Sequence, residues 1–110
     1  GNDAGHSLPG LSGRPLSVAV LDLDNFKRLN DTYGHSAGDA ALVHLARIIR
    51  RTVRPTDVIA RYGGEEFVII LGDTDLDTAV NVTVRLQREL TKRFFLHNNE
   101  RVLVTFSAGV

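Results

Sequence analysis

Residues 59–71, IARYGGEEFVIIL, place two glycines and two glutamates between two apolar runs. All four residues are disfavoured inside a strand. Two adjacent glycines between β-branched runs are typical of a hairpin turn. The stretch therefore predicts a β-hairpin whose turn carries Gly63 and Gly64 and is followed at once by Glu65 and Glu66.

The segments around this hairpin alternate between strand and helix patterns. They predict, in chain order, a strand at 16–24, a short helix broken at Gly34, an amphipathic helix that stops before Pro55, the hairpin, a second long amphipathic helix from Asp75 and a last strand at 101–110. The order β-α-α-β-β-α-β, with a hairpin between two long helices, favours an α+β fold: a mixed sheet with its helices on one face.

Each long helix is predicted from one apolar stripe. The first stripe consists of Leu42, Leu45, Ile49 and Val53, and the second of Leu76, Val80, Leu86, Leu90 and Phe94. Residues 1–15 are rich in Gly, Ser and Pro and are predicted to be a linker or tag remnant. With no Met anywhere, the chain is expected to be a processed or excised piece of a longer protein.

Composition excludes several classes of function. The 13 Lys and Arg residues balance 13 Asp and Glu, so no overall field attracts a nucleic acid polymer or an anionic membrane. There is no Cys, hence no disulfide, thiolate nucleophile or Cys-based zinc site. No apolar run approaches a membrane span and no signal peptide is recognisable. A cytoplasmic domain without direct membrane contact is expected; any membrane attachment would be through another domain.

Two pairs of carboxylates define the candidate site. Asp22 and Asp24 come at the end of the first strand, and residues two apart on a strand share a face. Glu65 and Glu66 follow the hairpin turn and alternate in direction. If the two strands are neighbours, one carboxylate from each can hold divalent cations beside a phosphate. Taken singly, Asp-x-Asp is more often a helix cap, Gly-Gly only a turn and Glu-Glu a solvated face.

Four motifs in matching order and spacing make the sequence similar to the GGDEF family of diguanylate cyclases. They are RYGGEEF at 61–67 in its GGEEF form, LDLDNFKRLNDTYGHSAGD at 21–39, RPTD at 54–57 as an RxxD inhibitory site, and TFSAGV at 105–110. The resemblance covers about residues 16–110. It implies a palm-like nucleotidyl cyclase fold and an enzyme that condenses two GTP into cyclic di-GMP and two pyrophosphates.

The resemblance also assigns roles within the catalytic machinery. Asp22 and Glu65, with the backbone carbonyl of Leu23, would bind two Mg²⁺ ions per nucleotide site, with Mn²⁺ as the alternative ion. Glu65 is in addition the candidate base for the 3′-hydroxyl proton. Lys27 would stabilise charge developing on the transferring phosphoryl group.

The nucleotide itself would be held by several polar groups. Asn30 and Asp39 would recognise the guanine edge, since a carboxylate accepts from N–H groups that adenine does not present in that pattern. Backbone amides at the helix start would bind phosphates. The further candidates are Asn25, Phe26, His35, Gly63 and Gly64; for His35 a capping or packing role is an equal alternative.

A separate product-inhibition site would consist of Arg54 and Asp57, with Arg85 and Arg61 as further arginines. Taken alone, RPTD would be a helix-ending turn with an ordinary surface ion pair, which contributes little.

Two expectations concern what lies beyond the chain. The family's basic pair after the S-x-G-V strand is missing, so the domain is expected to be truncated at its C-terminus and 16–110 to lack that phosphate-binding segment. Two GTP molecules must meet, so catalysis is expected to need a homodimer, driven by an upstream sensory domain.

The alternative function is a receptor domain that binds cyclic di-GMP or GTP without reaction.

Overall fold

The computed structural model describes residues 7–9 and 14–110. Within these ranges the chain forms β1 (Ser7–Pro9), β2 (Pro15–Leu23), α1 (Phe26–Tyr33), α2 (His35–Thr52), β3 (Val58–Tyr62), β4 (Glu66–Gly72), α3 (Leu76–Lys92), β5 (Phe95–His97), β6 (Glu100–Val102) and β7 (Phe106–Gly109). No helix in this part of the chain combines the length and the apolar character that crossing a bilayer would require.

A five-stranded sheet is organised around β2. One edge of β2 pairs with β4 from Leu16 to Asp22, and β3 follows beyond β4. β1 and β7 pair along the opposite edge of β2, β1 with its start and β7 with its last four residues. As a result, the end of β2 lies between the hairpin strand β4 on one side and β7 on the other.

The core fills the space between one face of this sheet and the two long helices. Alternate residues of β2 and β4 are buried, as in Leu21 and Ile69, while their neighbours face outward. From the helices, Leu45 and Ile49 of α2 and Leu86 of α3 are fully buried against them. The α+β class predicted from the sequence is confirmed, with α2 and α3 packed on one face.

Three details differ from the sequence-based expectation. The described pairings are all antiparallel, where a mixed sheet was expected. The segment expected to be one last strand at 101–110 forms two strands, β6 and β7. β6 pairs with β5 in a separate hairpin, where the sequence predicted no strand before residue 101. Ser7–Pro9, within the expected linker, pairs with Pro15–Ser17. The composition of the segment does not predict this pairing, because strands pair through backbone groups and not through particular side chains. Residues 1–6 and 10–13 of that linker lie outside the described residues.

Candidate functional site

The end of β2 and the β3–β4 turn bring two acidic side chains together. Asp22 lies opposite Glu66 in the β2–β4 register. One residue on, the N–H of Leu23 donates to the carbonyl of Glu65 at 3.2 Å. The sequence-based prediction that Asp22 and Glu65 come from adjacent strands is therefore reproduced by the pairing of β2 with β4.

The Asp22 carboxyl group is close enough to the Glu65 carboxyl group to influence the pKa of Glu65. Burial raises the pKa of Glu65 above its usual value, and the charge of Asp22, a side-chain hydrogen bond to Asp22 and the charge of Glu66 raise it further. Each of these influences disfavours a negative charge on Glu65. An environment that disfavours a negative charge on Glu65 is one in which a cation beside Glu65 would be stabilised.

The available ligands fit Mg²⁺ that arrives with a phosphate better than a cage made only of protein. Within the described residues no group of three or more Asp, Glu, His or Cys side chains could hold a metal ion. Asp22 and Glu65 supply two carboxylates, and Mg²⁺ is commonly bound by one or two carboxylates plus substrate phosphates.

Asp24, grouped with Asp22 by the sequence, has a different role. Its carboxylate accepts hydrogen bonds from the hydroxyls of Thr105 at 2.9 Å and Ser107 at 2.6 Å, and its N–H donates to the Thr105 carbonyl. These bonds fasten the start of β7 to the junction between β2 and α1. Asp24 thus stabilises the end of the strand on which Asp22 lies, a role that depends on residues about 80 positions away.

The hairpin turn uses its two glycines differently. Gly63 has φ 71°, a left-handed conformation that glycine adopts without strain. Gly64 does not need to be glycine for the fold, since a Cβ there would meet no atom within 4 Å. Open space above Gly64 is what close approach of a ligand to the backbone requires.

The first turn of α1 begins three residues after the end of β2, the strand that carries Asp22. Asn25 precedes the helix with φ 56°, and its side chain does not cap the helix. The first amides of α1, at Phe26 and Lys27, are those left without intrahelical partners. The Lys27 side chain is exposed.

The predicted guanine-binding residues lie where α1 meets α2. The Asn30 side-chain oxygen is buried without a hydrogen-bond partner in the described part of the chain, and such an atom requires an explanation. Asp39 and His35 are both exposed on the first turns of α2. The structure therefore brings Asn30 close to the start of α2 and leaves Asp39 accessible.

Gly38 is a residue of this region that the sequence reasoning missed. A Cβ at Gly38 would collide with the Asn30 side-chain oxygen and lie 2.9 Å from Phe26 Cζ. The only sequence signal was a glycine inside a helical pattern, which usually has a packing or functional reason. Gly38 allows α1 to approach α2 with Asn30 between them.

We expect Gly38→Ala to destabilise the domain by about 1 kcal/mol in denaturant unfolding, since overpacking of roughly 1–3 kcal/mol outweighs a helix-propensity gain of about 1 kcal/mol. Gly109→Ala, where a Cβ meets nothing within 4 Å, is the matched control and should change little. Asn30→Ala in the Gly38→Ala background should restore part of the loss. A Gly38→Ala protein more stable than the wild type would contradict this packing.

The raised pKa of Glu65 gives a second expectation. At pH 7.5 in EDTA, Glu65→Gln should unfold at a higher temperature than the wild type, because burial and the charges of Asp22 and Glu66 disfavour the ionised Glu65 carboxylate that the substitution removes. Adding Mg²⁺ with GTP should reduce or reverse this difference, since only the wild type retains both carboxylates. An equal or lower melting temperature for Glu65→Gln in EDTA would show that the carboxylates do not oppose one another.

The predicted inhibitory residues Arg54 and Asp57 form a connected polar network. The buried Asp57 carboxylate accepts from the Arg54 backbone N–H at 2.9 Å and from the Arg54 guanidinium at 3.0 and 3.3 Å. The same guanidinium donates to Thr74 Oγ1 at 3.1 Å and to the Gly72 carbonyl. Arg54 therefore joins the loop before β3 to the loop after β4, which is more than an ordinary surface ion pair.

Arg85 lies beside this network and Arg61 does not. Arg54, Asp57 and Arg85 line one cavity of about 210 Å³. Arg61 instead donates to the Gly64 carbonyl at 2.9 Å and so belongs to the hairpin turn at the other end of the sheet. The prediction that groups Arg61 with Arg54 is not reproduced, because Arg61 lies near the end of β3 whereas Arg54 precedes its start.

The two candidate sites are at opposite ends of β4. Glu66 begins β4 beside Asp22, and Gly72 ends it beside Arg54. Seven residues of extended chain span roughly 20 Å. A ligand in the Arg54 cavity therefore lies well away from the carboxylates.

The family described as diguanylate cyclase, GGDEF domain, matches residues 6–110. The chain belongs to this family, which confirms the resemblance predicted from the sequence.

Individual relatives agree. The chain is 41% identical over 95 residues to Diguanylate cyclase A of Treponema denticola, covering 86% of this chain and 26% of that protein. It is 41% identical over 102 residues to the response regulator PleD of Caulobacter vibrioides, covering 91% of this chain and 22% of that protein. The chain thus spans about a quarter of the length of these curated relatives.

Solved structures show the same fold. The GGDEF domain of DgcB from Caulobacter crescentus, solved in complex with c-di-GMP, matches with a TM-score of 0.79 and 35% identity, over 86% of this chain and 57% of that one. The active GGEEF domain of a diguanylate cyclase from Vibrio cholerae matches with a TM-score of 0.79 and 34% identity, over 87% of this chain and 60% of that one.

Proposed function

We propose that this domain is the catalytic half-site of a diguanylate cyclase that condenses two GTP into cyclic di-GMP and two pyrophosphates. The observation that carries the proposal is the closeness of the Asp22 and Glu65 carboxyl groups at the end of β2, expressed in the raised pKa of Glu65. A domain that only binds nucleotide has no need of two carboxylates that repel each other.

Asp22 and Glu65, with the Leu23 carbonyl, are the proposed ligands of two Mg²⁺ ions, with Mn²⁺ as the alternative. When bound, such ions neutralise charge on the phosphates and orient them for in-line displacement. The chain's own groups do the rest: the amides of Phe26 and Lys27 bind phosphate oxygens, and the Lys27 ammonium stabilises negative charge at the reacting phosphate.

Glu65 is also the proposed base for the 3′-hydroxyl proton. A carboxylate whose pKa is raised is a better proton acceptor than an ordinary one, because its basic form binds a proton more strongly. The raised pKa of Glu65 describes the site without cations, and bound Mg²⁺ would lower it. The proposal that Glu65 is the base therefore rests on its position beside Asp22 at the hairpin turn.

Guanine is proposed to bind at the contact between α1 and α2. The buried Asn30 oxygen has no partner among the described residues and could accept a hydrogen bond from a base. Asp39 is exposed and could accept from the guanine N–H groups. Adenine offers a different donor pattern at the same edge, so discrimination against ATP follows.

Two such half-sites must face each other, because each 3′-hydroxyl attacks the α-phosphate of the other GTP. A homodimer is therefore proposed as the active form, with an upstream sensory domain controlling its assembly.

The cavity lined by Arg54, Asp57 and Arg85 is proposed to bind the product. Since that cavity lies roughly 20 Å from the carboxylates, inhibition should be noncompetitive with GTP.

The direct test is incubation of the chain, and of any longer protein that contains it, with GTP and Mg²⁺, followed by chromatography. Cyclic di-GMP and pyrophosphate in a one-to-two ratio are expected. Binding of GTP or cyclic di-GMP by a dimeric preparation that forms no product would favour the receptor alternative.

A further inference from the structure

A groove between α2 and α3 concentrates positive charge away from the carboxylate site and adjoins the Arg54 cavity, with which it shares only Arg85 among its basic residues. Two adjoining cavities of about 300 and 290 Å³ share Ile48, Arg51 and Arg93. We call the pair the arginine groove and define it by its five basic residues, Arg47, Arg51, Arg85, Lys92 and Arg93. The whole chain has no net charge, so this concentration is local.

Little negative charge compensates this groove. Glu89 is the one carboxylate that lines the two cavities within the described residues, and it pairs with Lys92 at 3.8 Å and Arg93 at 3.3 Å. Arg47, Arg51 and Arg85 form no ion pair within residues 7–9 and 14–110. The groove therefore retains excess positive charge.

The effect of this charge reaches a neighbouring side chain. His44 lines the same groove, and its Nε2 lies 3.1 Å from the Arg93 carbonyl oxygen. The centre of its ring is 5.2 Å from that of the Phe95 ring, and the two rings are tilted by 43°. Burial lowers the pKa of His44, and the charges of Arg47 and Arg93 lower it further, against a hydrogen bond to Arg93 that raises it. The pKa of His44 therefore responds in part to the positive charge that would also attract an anion into the groove.

Helix dipoles explain only part of this arrangement. Cations near a helix C-terminus are stabilised, and Arg51 and Lys92 lie in the last turns of α2 and α3. Arg47 and Arg85 lie before those last turns, yet they line the same groove from opposite helices. The convergence of basic residues from both helices is not required by either helix.

We propose that the arginine groove binds a ligand carrying two or more phosphate groups. Each cavity has the size of a small-molecule site rather than a protein interface, and planar guanidinium groups bind phosphate bidentately. Arg85 lines both this groove and the Arg54 cavity. The proposal goes beyond the proposed function and does not depend on Glu65.

Two compounds of the proposed reaction carry this chemistry: pyrophosphate and cyclic di-GMP. The test is titration calorimetry of the whole chain with each compound separately, in an Arg54→Ala background that removes Arg54 from the neighbouring cavity and leaves Arg85 in place. Arg51→Ala is compared with Arg50→Ala, because Arg50 is exposed, adjacent and lines neither cavity.

Arg51→Ala should weaken binding about tenfold through loss of a charge-assisted contact, whereas Arg50→Ala should change it less than about twofold. An NMR titration should show the pKa of His44 rising when the anion binds. The compound that binds more tightly identifies the source of the phosphates. Absence of binding by both compounds, or equal weakening in the two variants, would overturn the proposal and leave the cyclase assignment untouched.

Discussion

We expect Glu65→Gln to lower the rate of cyclic di-GMP formation from GTP at least about a hundredfold in any form of the protein that carries out the reaction. The substitution keeps the shape of the side chain but removes both the negative charge and the proton acceptor. Because Asp22 alone would remain beside the phosphates, cation binding should also weaken. The measurement is the initial rate of product formation by chromatography at saturating Mg²⁺.

The matched control is Glu100→Gln, an exposed carboxylate at the start of β6. It removes the same charge far along the chain from the site and should leave the rate within about twofold, as expected of a surface change away from the chemistry. If Glu65→Gln turns over at the wild-type rate while remaining folded, Glu65 has no part in the reaction.

Arg54→Ala should relieve product inhibition and also lower stability. The Asp57 side chain is only 3% exposed and accepts three hydrogen bonds from Arg54. Of these, the substitution keeps only the backbone one. Breaking a buried ion pair by removing one partner typically costs about 3–5 kcal/mol. Because the Arg54 side chain is 52% exposed, water can compensate in part, and we expect about 2–3 kcal/mol.

Two measurements separate these effects. Denaturant unfolding gives the loss of stability, and the double variant Arg54→Ala with Asp57→Asn should recover part of it by removing the unpaired charge. Rates at increasing cyclic di-GMP give the inhibition, which should weaken at least about tenfold while the uninhibited initial rate is unchanged. An unaltered inhibition curve would exclude Arg54 from product binding, whatever the stability change.

The hairpin, the strand β2 and the helix α2 were predictable because their patterns are local. Apolar alternation specifies which face of β2 and β4 is buried, and the stripe of Leu42, Leu45 and Ile49 is buried as predicted. Local periodicity also predicted that Asp22 and Glu65 come from strand ends, although only the β2–β4 register brings them together.

The stripe of α3 was predicted less well. Leu86 and Leu90 are buried, but Val80 is 41% exposed and Phe94 lies beyond the helix and is 47% exposed. The inner face runs instead through Ala79 and Thr83, whose small side chains allow close helix–sheet packing. A stripe predicted only from large apolar residues omits small residues such as Ala79 and Thr83, which are buried because they allow this close packing.

Other features depend on contacts between distant parts of the chain. The hydroxyl of Ser36, in the first turn of α2, lies 3.3 Å from the ring of His97, which is 61 positions away. Asp24 and Arg54 likewise bind groups far along the chain. No local pattern identifies such partners, because strand order and loop positions decide them.

The central claim, that Asp22 and Glu65 together hold divalent cations beside a bound nucleotide, is tested most directly by paramagnetic broadening with Mn²⁺. Amide signals of the ¹⁵N-labelled chain are recorded with a non-hydrolysable GTP analogue while substoichiometric Mn²⁺ is added. We predict that the Leu23 and Glu65 amides broaden first, and that this selective broadening is lost in Asp22→Asn. Broadening centred elsewhere in the chain, or unchanged in Asp22→Asn, would contradict the account.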